Sequence, residues 1–483
     1  MYFRVIGLRA SIFKNTILTI VALIFLGSTN LVFNILIAKE FDAATLGSLN
    51  LVISTALLLS LAVATGFGPA ATKYLAEYLG KRDSNSAKSS FQISFKFVFV
   101  LSALLFLFAV ILSEPVSNII GVERKLFLFA TPLIPLYAFY ELYKNSYYGV
   151  NSVGKYLRNE VISDVTFFVV LGIVIFYLRC WLILPFILLY LVFTVLSTAD
   201  FFCYLKPVKV KQKGITKSIV AFASISFVGT FASMSRMRLS MVLSGVYVSA
   251  EHVGYYAAAY SFLTALYLIP RAMSLTLFPS FSYHYGKNDS SSITRMLNQS
   301  TKWLTIIILL LGGITIFLSK NILQILFGSE YAGASLTLQI LILSACSTIV
   351  DIPAVNSLSG TKYVKIPNIA GVLGLISCLV LWPFLIPKYG IVGTAAGFLI
   401  STVVTSSIPL YYAQKYFNLN LKNFSQTLLI SFSILAVALL IKSALLFFPT
   451  IISTAVFTAV FCAVFRKDLL GIYKKTLSVI LPA

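Results

Sequence analysis

The chain has 483 residues, of which 59% are apolar and only 11% are charged, whereas an ordinary globular domain has about 25% charged residues. This composition excludes a soluble enzyme and predicts an all-α integral membrane protein. The five cysteines show no CxxC spacing and the two histidines fall in different predicted loops. We therefore expect neither a disulfide framework nor a metal site.

Apolar runs long enough to cross a bilayer, which takes about 20 residues, follow one another along the whole chain. The connections between them are roughly 5 to 15 residues long, so no connection can fold as a separate soluble domain. About fourteen transmembrane helices are therefore predicted. Their expected bounds are 11–38, 47–78, 91–113, 125–149, 160–178, 182–204, 218–245, 254–282, 300–319, 334–357, 367–386, 391–413, 425–447 and 451–465.

Basic residues are distributed unequally between the two sets of connections. The side that carries both termini has 22 Lys and Arg residues, and the opposite side has 6. Because cytoplasmic loops retain positive charge, we predict a multi-pass protein of the cell membrane with both termini in the cytoplasm. The net charge of +22 is explained by the role of these basic residues in setting the topology. We therefore expect contact with anionic lipid headgroups and no nucleic-acid partner.

Segments about 207 residues apart resemble one another. Tyr78–Ser84 matches Tyr285–Ser290, and Gly47 meets Gly254 at nearly the same offset. Each copy of the repeat contains six helices, an even number, so the two copies enter the membrane in the same orientation as parallel repeats. In transporters such halves enclose the substrate site. The predicted domains are a six-helix lobe over 1–212, a second six-helix lobe over 213–420, and two additional C-terminal helices with a cytoplasmic tail over 421–483.

Three arginines fall deep inside predicted spans, where a charged side chain costs about 2.5 to 3.5 kcal/mol on insertion scales. Arg236 and Arg238 lie in the seventh span, and Arg271 follows Pro270 in the eighth. Residues two apart on a helix point about 200° from each other, so Arg236 and Arg238 cannot both face one cavity. We expect one of them, together with Arg271, to line a cationic substrate cavity. Structural pairing with a carboxylate or a helix carbonyl is the alternative.

Other charged residues form a second set of candidates. Glu141 and Lys144 share a face of the fourth span, and the repeat offset places Asp351 at the depth of Lys144. Lys73 and Glu77 lie near the cytoplasmic end of the second span. We expect Lys144 and Lys73 to extend the cationic cavity, and Glu141, Asp351 and Glu77 to couple transport to an ion or to form structural pairs. Local ion pairs and snorkelling explain these residues equally well.

Five segments carry a resemblance to a known family, namely Thr45–Leu49, Gly66–Glu77, Glu251–Tyr256, Leu326–Tyr331 and Tyr389–Ala395. Through them the chain resembles the polysaccharide flippases, the O-antigen and capsule-type exporters of the multidrug/oligosaccharidyl-lipid/polysaccharide superfamily. The resemblance implies two six-helix lobes, two added C-terminal helices and a cationic central cavity. It also implies export of a polyprenyl-pyrophosphate-linked oligosaccharide by alternating access.

The implied substrate agrees with the basic residues, since a diphosphate must cross a low-dielectric slab and arginine offers it forked, always-charged donors. In relatives of this family an acidic residue often occurs along the seventh helix, where this chain has Arg236 and Arg238. Coupling to Na⁺ or H⁺ therefore stays open. We expect no other cofactor and no catalytic residue. The expected partners are the lipid-linked oligosaccharide, membrane lipids and other membrane proteins of glycan assembly.

Three other functions are compatible with parts of this pattern. An ion-coupled drug or metabolite exporter of the same superfamily would favour an acidic cavity, and a peptidoglycan-precursor flippase is chemically close to the favoured function. A membrane glycosyltransferase, polymerase or ligase usually needs a long outer loop with catalytic residues, and no predicted outer loop exceeds roughly 16 residues.

Overall fold

The structure, a computed structural model, describes residues 29–207, 212–420, 450–466 and 468–471, together with scattered positions between 422 and 433. Every regular element in these residues is helical. The predicted all-α fold is thereby confirmed. The predicted helix over 425–447 lies largely outside the described residues.

The α-helices are numbered here in chain order. They are α1 (29–40), α2 (Ala43–Gly80), α3 (Ser84–Ile111), α4 (Ser113–Ile120), α5 (Arg124–Ala130), α6 (Leu133–Gly149), α7 (Val153–Ile173), α8 (Leu184–Asp200), α9 (Phe202–Leu205), α10 (Gln212–Tyr247), α11 (Ala250–Leu266), α12 (Leu268–Gly286), α13 (Ser290–Leu326), α14 (Ser335–Ser359), α15 (Lys365–Phe417) and α16 (Thr450–Val464). A π-helical turn, Val174–Leu178, extends α7, and a 3₁₀ turn, Ser329–Ala334, precedes α14.

Eight described segments are helical, long and apolar enough to cross a bilayer, and two shorter apolar helices accompany them. Several exceed the length that a span requires. The 53 residues of α15 contain a break at Gly390, whose φ of 57° and ψ of −135° are not helical. This break separates the two helices predicted over 367–386 and 391–413, because glycine adopts a positive φ without a steric penalty.

Two predicted spans are interrupted inside the membrane-spanning region. The span predicted over 125–149 is divided into α5 and α6 at Thr131 and Pro132. The Thr131 hydroxyl donates to the Leu128 carbonyl oxygen at 2.8 Å, and Pro132 has no N–H with which to continue the helix. The span predicted over 254–282 is divided into α11 and α12 at Tyr267.

The sequence repeat has a structural counterpart in the turn after α2 and in the turn after α12. Arg82 (φ 58°) and Asn288 (φ 54°) occupy the left-handed region in the two turns. The next residue, Asp83 or Asp289, caps the following helix by accepting from the backbone N–H three residues on, at 3.0 Å in both cases. Equivalent segments of the repeat therefore fold in the same local way.

Contacts divide the chain into two compact units. One unit runs to Leu268 and includes Gly374–Thr394. The other comprises Ile269–Leu373 and the chain from Ala395 onward. The lobes predicted over 1–212 and 213–420 are a division by sequence repeat rather than by contact, and that division stays a prediction.

In the first unit α2 is the central helix, and α6, α10 and α11 pack against it. Its crossing with α11 is so close that backbone meets backbone. A Cβ atom on Gly47 would lie 1.7 Å from the Ala250 carbonyl oxygen, and a Cβ on Gly254 would lie 2.0 Å from the Ala43 carbonyl oxygen. The two Ala-x₃-Gly segments are related by the repeat offset, so equivalent residues contact each other reciprocally.

In the second unit α13 packs against α14 and α16. One core cluster includes Phe281, Leu297 and Leu358, all nearly inaccessible. At its edge the Tyr363 and Tyr416 rings stack with centroids 4.0 Å apart.

Candidate functional site

Most of the charged residues singled out in the sequence lie on three helices of the first unit. Lys73 is on α2, Glu141 and Lys144 are on α6, and Arg236 and Arg238 are on α10. Both α6 and α10 pack against α2, so the fold collects these side chains around one helix.

The crossing of α2 and α6 depends on small and polar residues. A Cβ on Gly68 would lie 2.8 Å from the amide nitrogen of Asn145. The Thr72 hydroxyl donates to the Asn145 carbonyl oxygen at 2.7 Å. Because Lys73 and Lys144 are the immediate chain neighbours of these contacting residues, the two lysines lie at the same level of the unit.

Glu141 and Lys144 form an ion pair in the interior of the first unit. The Lys144 ammonium contacts the Glu141 carboxylate, and the two side chains are only 14% and 8% exposed. The Tyr137 hydroxyl also donates to this carboxylate, at 3.3 Å. The spacing of three residues predicts this contact, and within the pair the charge of Lys144 is compensated.

Lys73 and Glu77 have different environments although they are one turn apart. The Lys73 ammonium lies 4.2 Å from the centroid of the Phe222 ring of α10 and 5.1 Å from that of Tyr74, a cation–π arrangement. Glu77 pairs with Lys81 at 2.6 Å on the exposed end of α2. Lys73 thus lies against α10, and Glu77 belongs to a surface pair.

Arg236 and Arg238 lie at a different level from the lysines. The α10 helix runs antiparallel to α2, with close approaches of Gly66 to Ala223 and of Leu51 to Gly245. The arginines fall between these contacts, roughly 20 Å along the helix axis from Lys73.

The two arginines differ in burial. Arg236 is 7% exposed, whereas Arg238 is partly buried. Both guanidinium groups are within electrostatic range of the Tyr260 hydroxyl in α11. The Arg238 guanidinium is also within electrostatic range of the Tyr190 hydroxyl in α8. This part of α10 therefore places positive charge among buried tyrosines.

The remaining predicted residues lie elsewhere. Arg271 is in α12, and its side chain is outside the described part of the structure. Asp351 lies in α14 of the second unit and is 3% exposed. The roles assigned to the eight candidate residues stay predictions.

Two buried acidic residues of α7 are not among the predicted site residues. Glu160 and Asp164 are 2% and 1% exposed. Hydropathy places the start of this span at residue 160, which makes both carboxylates end-of-helix residues. The helix instead begins at Val153, so both carboxylates lie inside the helix and not at its end. Their spacing was the available sequence signal, because acidic residues four apart lie on one face of a helix.

The chain matches known family profiles. The family profile described as polysaccharide biosynthesis protein matches residues 12–284, and the profile described as MatE matches residues 224–384. The probable low-salt glycan biosynthesis flippase Agl15 of Haloferax volcanii is 26% identical over 201 residues, which are 41% of this chain and 42% of that relative. The match thus spans less than half of the relative's length.

Solved structures share the fold. The lipid II flippase MurJ in an inward closed conformation has a TM-score of 0.71 at 18% identity, with 95% of this chain and 100% of that chain covered. An inward-facing multidrug resistance MATE family transporter of the MOP superfamily has a TM-score of 0.68 at 13% identity, with 81% and 94% covered. At these identities the likeness concerns the fold alone.

Proposed function

The chain belongs to the polysaccharide biosynthesis protein family, and on this premise we propose that it is a flippase. It moves a polyprenyl-pyrophosphate-linked oligosaccharide from the inner to the outer leaflet of the cell membrane by alternating access. Both termini are cytoplasmic, and other membrane proteins of glycan assembly supply and consume the substrate.

The observation that carries the proposal is the burial of Arg236 inside a membrane span. The α10 span is apolar enough to cross the bilayer, yet Arg236 is 7% exposed and lies 11 residues, or about 17 Å, before the end of the helix at Tyr247. Charged residues inside membrane spans mark substrate pathways. The oxygens of a diphosphate group match the forked donors of arginine, and Arg236 contacts this group during transport.

Two findings on relatives support the choice of a lipid-linked substrate. The relative from Haloferax volcanii is described as a probable glycan biosynthesis flippase, and the profile that spans more than half of the chain is that of polysaccharide biosynthesis. Selectivity for particular sugars depends on contacts to the oligosaccharide and not on contacts to the diphosphate.

A second candidate function is an ion-coupled drug or metabolite exporter, which the MatE match over 224–384 supports. The two functions differ in the charge of the cargo. A cationic drug would be repelled by Arg236 and Arg238, whereas a diphosphate would be attracted to them.

Deletion of the gene tests the proposal. We expect lipid-linked glycan to accumulate in the inner leaflet, and Arg236→Ala and Arg271→Ala to fail to restore export at normal membrane levels. Loss of a buried charged contact typically costs about 2 to 5 kcal/mol, so export falls by a factor of ten or more. Arg179→Ala is the matched control, since the Arg179 side chain is 66% exposed at the end of its span. Normal glycan export in the deletion, together with new sensitivity to cationic dyes, would establish the exporter instead.

A further inference from the structure

A stripe of exposed side chains runs along the last part of α15 and changes from apolar to basic. It begins with Ile400 and Val403, which are 44% and 46% exposed. It continues at intervals of three or four residues, which keep side chains on one face of a helix. Its later members, all exposed, are Ser407, Tyr411, Gln414, Lys415 and Asn418. Ile400 and Tyr411 are about 17 Å apart along the helix axis, close to half of the hydrocarbon thickness of a bilayer, about 30 Å.

The stripe ends in an open cleft at the end of α15. The cleft has a volume of about 550 Å³ and is lined by Tyr411, Gln414, Lys415, Asn418, Leu419 and Asn420. The side chain of Asn298 in α13 holds the backbone that forms the floor of this cleft. Its amide donates to the Asn418 carbonyl oxygen at 3.2 Å, and its oxygen accepts from the Asn420 N–H at 2.7 Å. The lining therefore offers amide groups, a phenol hydroxyl and an ammonium, and none of its side chains is acidic.

Two stacked tyrosine rings connect the end of α15 with its start. The ring centroids of Tyr363 and Tyr416 are 4.0 Å apart, and the ring planes meet at 8°. The Lys362 ammonium lies 5.3 Å from the centroid of Tyr363, and the Lys415 ammonium lies 5.8 Å from that of Tyr416, so a cation borders each ring. Lys365 is the first residue of α15. Three exposed lysines therefore surround one pair of rings.

No acidic residue forms an ion pair with these three lysines in the described part of the second unit. The sequence of this unit, residues 269–373 and 395–483, contains four acidic residues. Two of them have other partners, since Asp289 lies 3.2 Å from His284 and Asp468 pairs with Lys302 at 2.7 Å. The other two lie in α14 and in the 3₁₀ turn before it. An aromatic ring orients an ammonium but carries no counter-charge, so the positive charge of the cluster is not neutralised by the chain.

The first unit shows how equivalent basic residues behave where the chain supplies an anion. The offset of 207 residues relates Lys155 and Arg158 to Lys362 and Lys365. In the first unit both cations contact Asp200 at the end of α8, at 3.8 Å and 2.8 Å. The end of α15, which is the equivalent helix of the second repeat, has no acidic residue. The second copy thus has the cations without the carboxylate, and an anion from outside the chain can occupy the equivalent place.

The chemistry of the stripe and of the cleft identifies this anion as a lipid headgroup. Ammonium, amide and phenol groups donate hydrogen bonds to phosphate oxygens. Tyrosines are enriched where a membrane meets water, and basic clusters beside membrane spans attract anionic lipids. The apolar start of the stripe fits an acyl chain in one leaflet, which a soluble anion would leave uncovered.

We propose that the end of the second unit formed by Lys362, Lys365 and Lys415 binds the headgroup phosphate of an anionic phospholipid, whose acyl chain lies along the stripe of α15. With the proposed topology this lipid belongs to the inner leaflet. The site goes beyond the proposed function, which specifies a cargo and no resident lipid. It also differs from a general attraction of lipids to basic loops, because that attraction would not distinguish these three lysines from others on the same side.

Binding of phosphatidylglycerol to the purified, delipidated full-length protein in detergent tests the site, with native mass spectrometry as the measurement. A triple variant replaces the cluster by neutral side chains, namely Lys362→Gln, Lys365→Gln and Lys415→Gln. One lysine beside an anionic lipid contributes about fivefold in affinity, so the triple variant should bind phosphatidylglycerol at least about tenfold more weakly. Substitution of the same three lysines by arginine keeps the charge and should keep the binding. Equal melting temperatures of the lipid-free proteins show that the variants are folded.

A matched control removes three charges elsewhere on the side that is predicted to be cytoplasmic. It carries substitutions at three exposed lysines, Lys206→Gln, Lys217→Gln and Lys287→Gln. This control should bind phosphatidylglycerol like the wild type. Equal weakening by the two triple variants would mean diffuse attraction to net charge and would overturn the proposal.

Competition distinguishes the sources of phosphate. Phosphatidylcholine, whose headgroup has no net charge, should bind at least about tenfold more weakly than phosphatidylglycerol, and sodium phosphate should not displace the lipid. Displacement by sodium phosphate would identify a site for soluble anions. Loss of polyprenyl-diphosphate binding in the Lys→Gln variant of the cluster, with phosphatidylglycerol binding retained, would assign the lysines to the cargo. Either result contradicts the proposal, and neither measurement depends on transport, so the flippase proposal is tested separately.

Discussion

At the scale of single residues, Lys144, Lys73 and Arg236 of the first unit have three different environments. Glu141 and Lys144 compensate each other in the interior. Lys73 is held by the aromatic ring of Phe222, and Arg236 is buried in α10. In the first two environments the ammonium is held by a partner within the protein, and Arg236 is the residue that we propose contacts the cargo.

The interior ion pair makes a prediction on stability. Lys144→Met leaves the Glu141 charge uncompensated, and removal of one partner of a buried pair costs about 3 to 5 kcal/mol. The double variant Glu141→Gln with Lys144→Met removes both charges and should recover most of the loss. Thermal unfolding in detergent of the wild type, Glu141→Gln, Lys144→Met and the double variant measures the coupling. Equal destabilisation by the single and the double variant would mean that the pair has no energetic role.

The helix cap at Asp289 makes a prediction on pH. Hydrogen bonds from Ser292 and Ser291 and from His284 hold the pKa of the Asp289 carboxyl well below its usual range. A depressed pKa in the folded state contributes stability above the unfolded value, about 3.9, and this contribution is lost as the pH falls toward the folded value. Asp289→Ala should therefore lower the melting temperature at neutral pH and have a smaller effect at acid pH. An effect of Asp289→Ala that is independent of pH would contradict this explanation.

At the scale of helices, the reciprocal crossing of α2 and α11 is the most sharply defined feature of the first unit. Small residues let backbones approach closely in membranes, and here Gly47 and Gly254 each face a carbonyl oxygen of the other helix. The offset of 207 residues pairs Gly47 with Gly254 in the sequence, but nothing in a sequence states that repeat-equivalent residues touch. That contact results from the packing of the two helices.

Substitution of a glycine at this crossing should lower the stability of the protein strongly, even when only one methyl group is added. Gly47→Ala would bring a Cβ to 1.7 Å from a backbone oxygen, so the helices must separate. Overpacking of this kind costs about 1 to 3 kcal/mol or more. Gly172→Ala in α7 is the matched control, since a Cβ there meets nothing within 4 Å. A comparison of melting temperatures measures the difference, and equal values for both variants would contradict the backbone contact.

At the scale of the whole molecule, hydropathy and composition were sufficient to predict a helical membrane protein, because an apolar run of about 20 residues has few alternatives to a span. Local signals predicted the ends of helices less well. The break at Tyr267 lies inside an apolar run, so hydropathy does not report it. The early start of α7 at Val153 lies among polar residues, which a hydropathy window cannot distinguish from a loop.

The candidate site was predictable only in part, for a related reason. Sequence spacing predicts contacts within one helix, such as Glu141 with Lys144. Contacts between helices, such as Lys73 with Phe222 or Tyr140 with Glu160, depend on the tertiary packing of distant segments. The buried carboxylate face of α7 therefore became apparent only in the structure.

The central claim is that buried arginine in α10 serves an anionic, lipid-linked cargo. Reconstituted proteoliposomes that contain a polyprenyl-diphosphate-linked oligosaccharide allow a direct measurement, in which an enzyme added outside modifies only the glycan that has reached the outer leaflet. The account predicts rapid exposure with the wild-type protein, partial exposure with Arg236→Lys, and exposure at least about tenfold slower with Arg236→Ala, while Arg179→Ala matches the wild type. Equal rates for wild type and Arg236→Ala, with both proteins folded and equally incorporated, would contradict it.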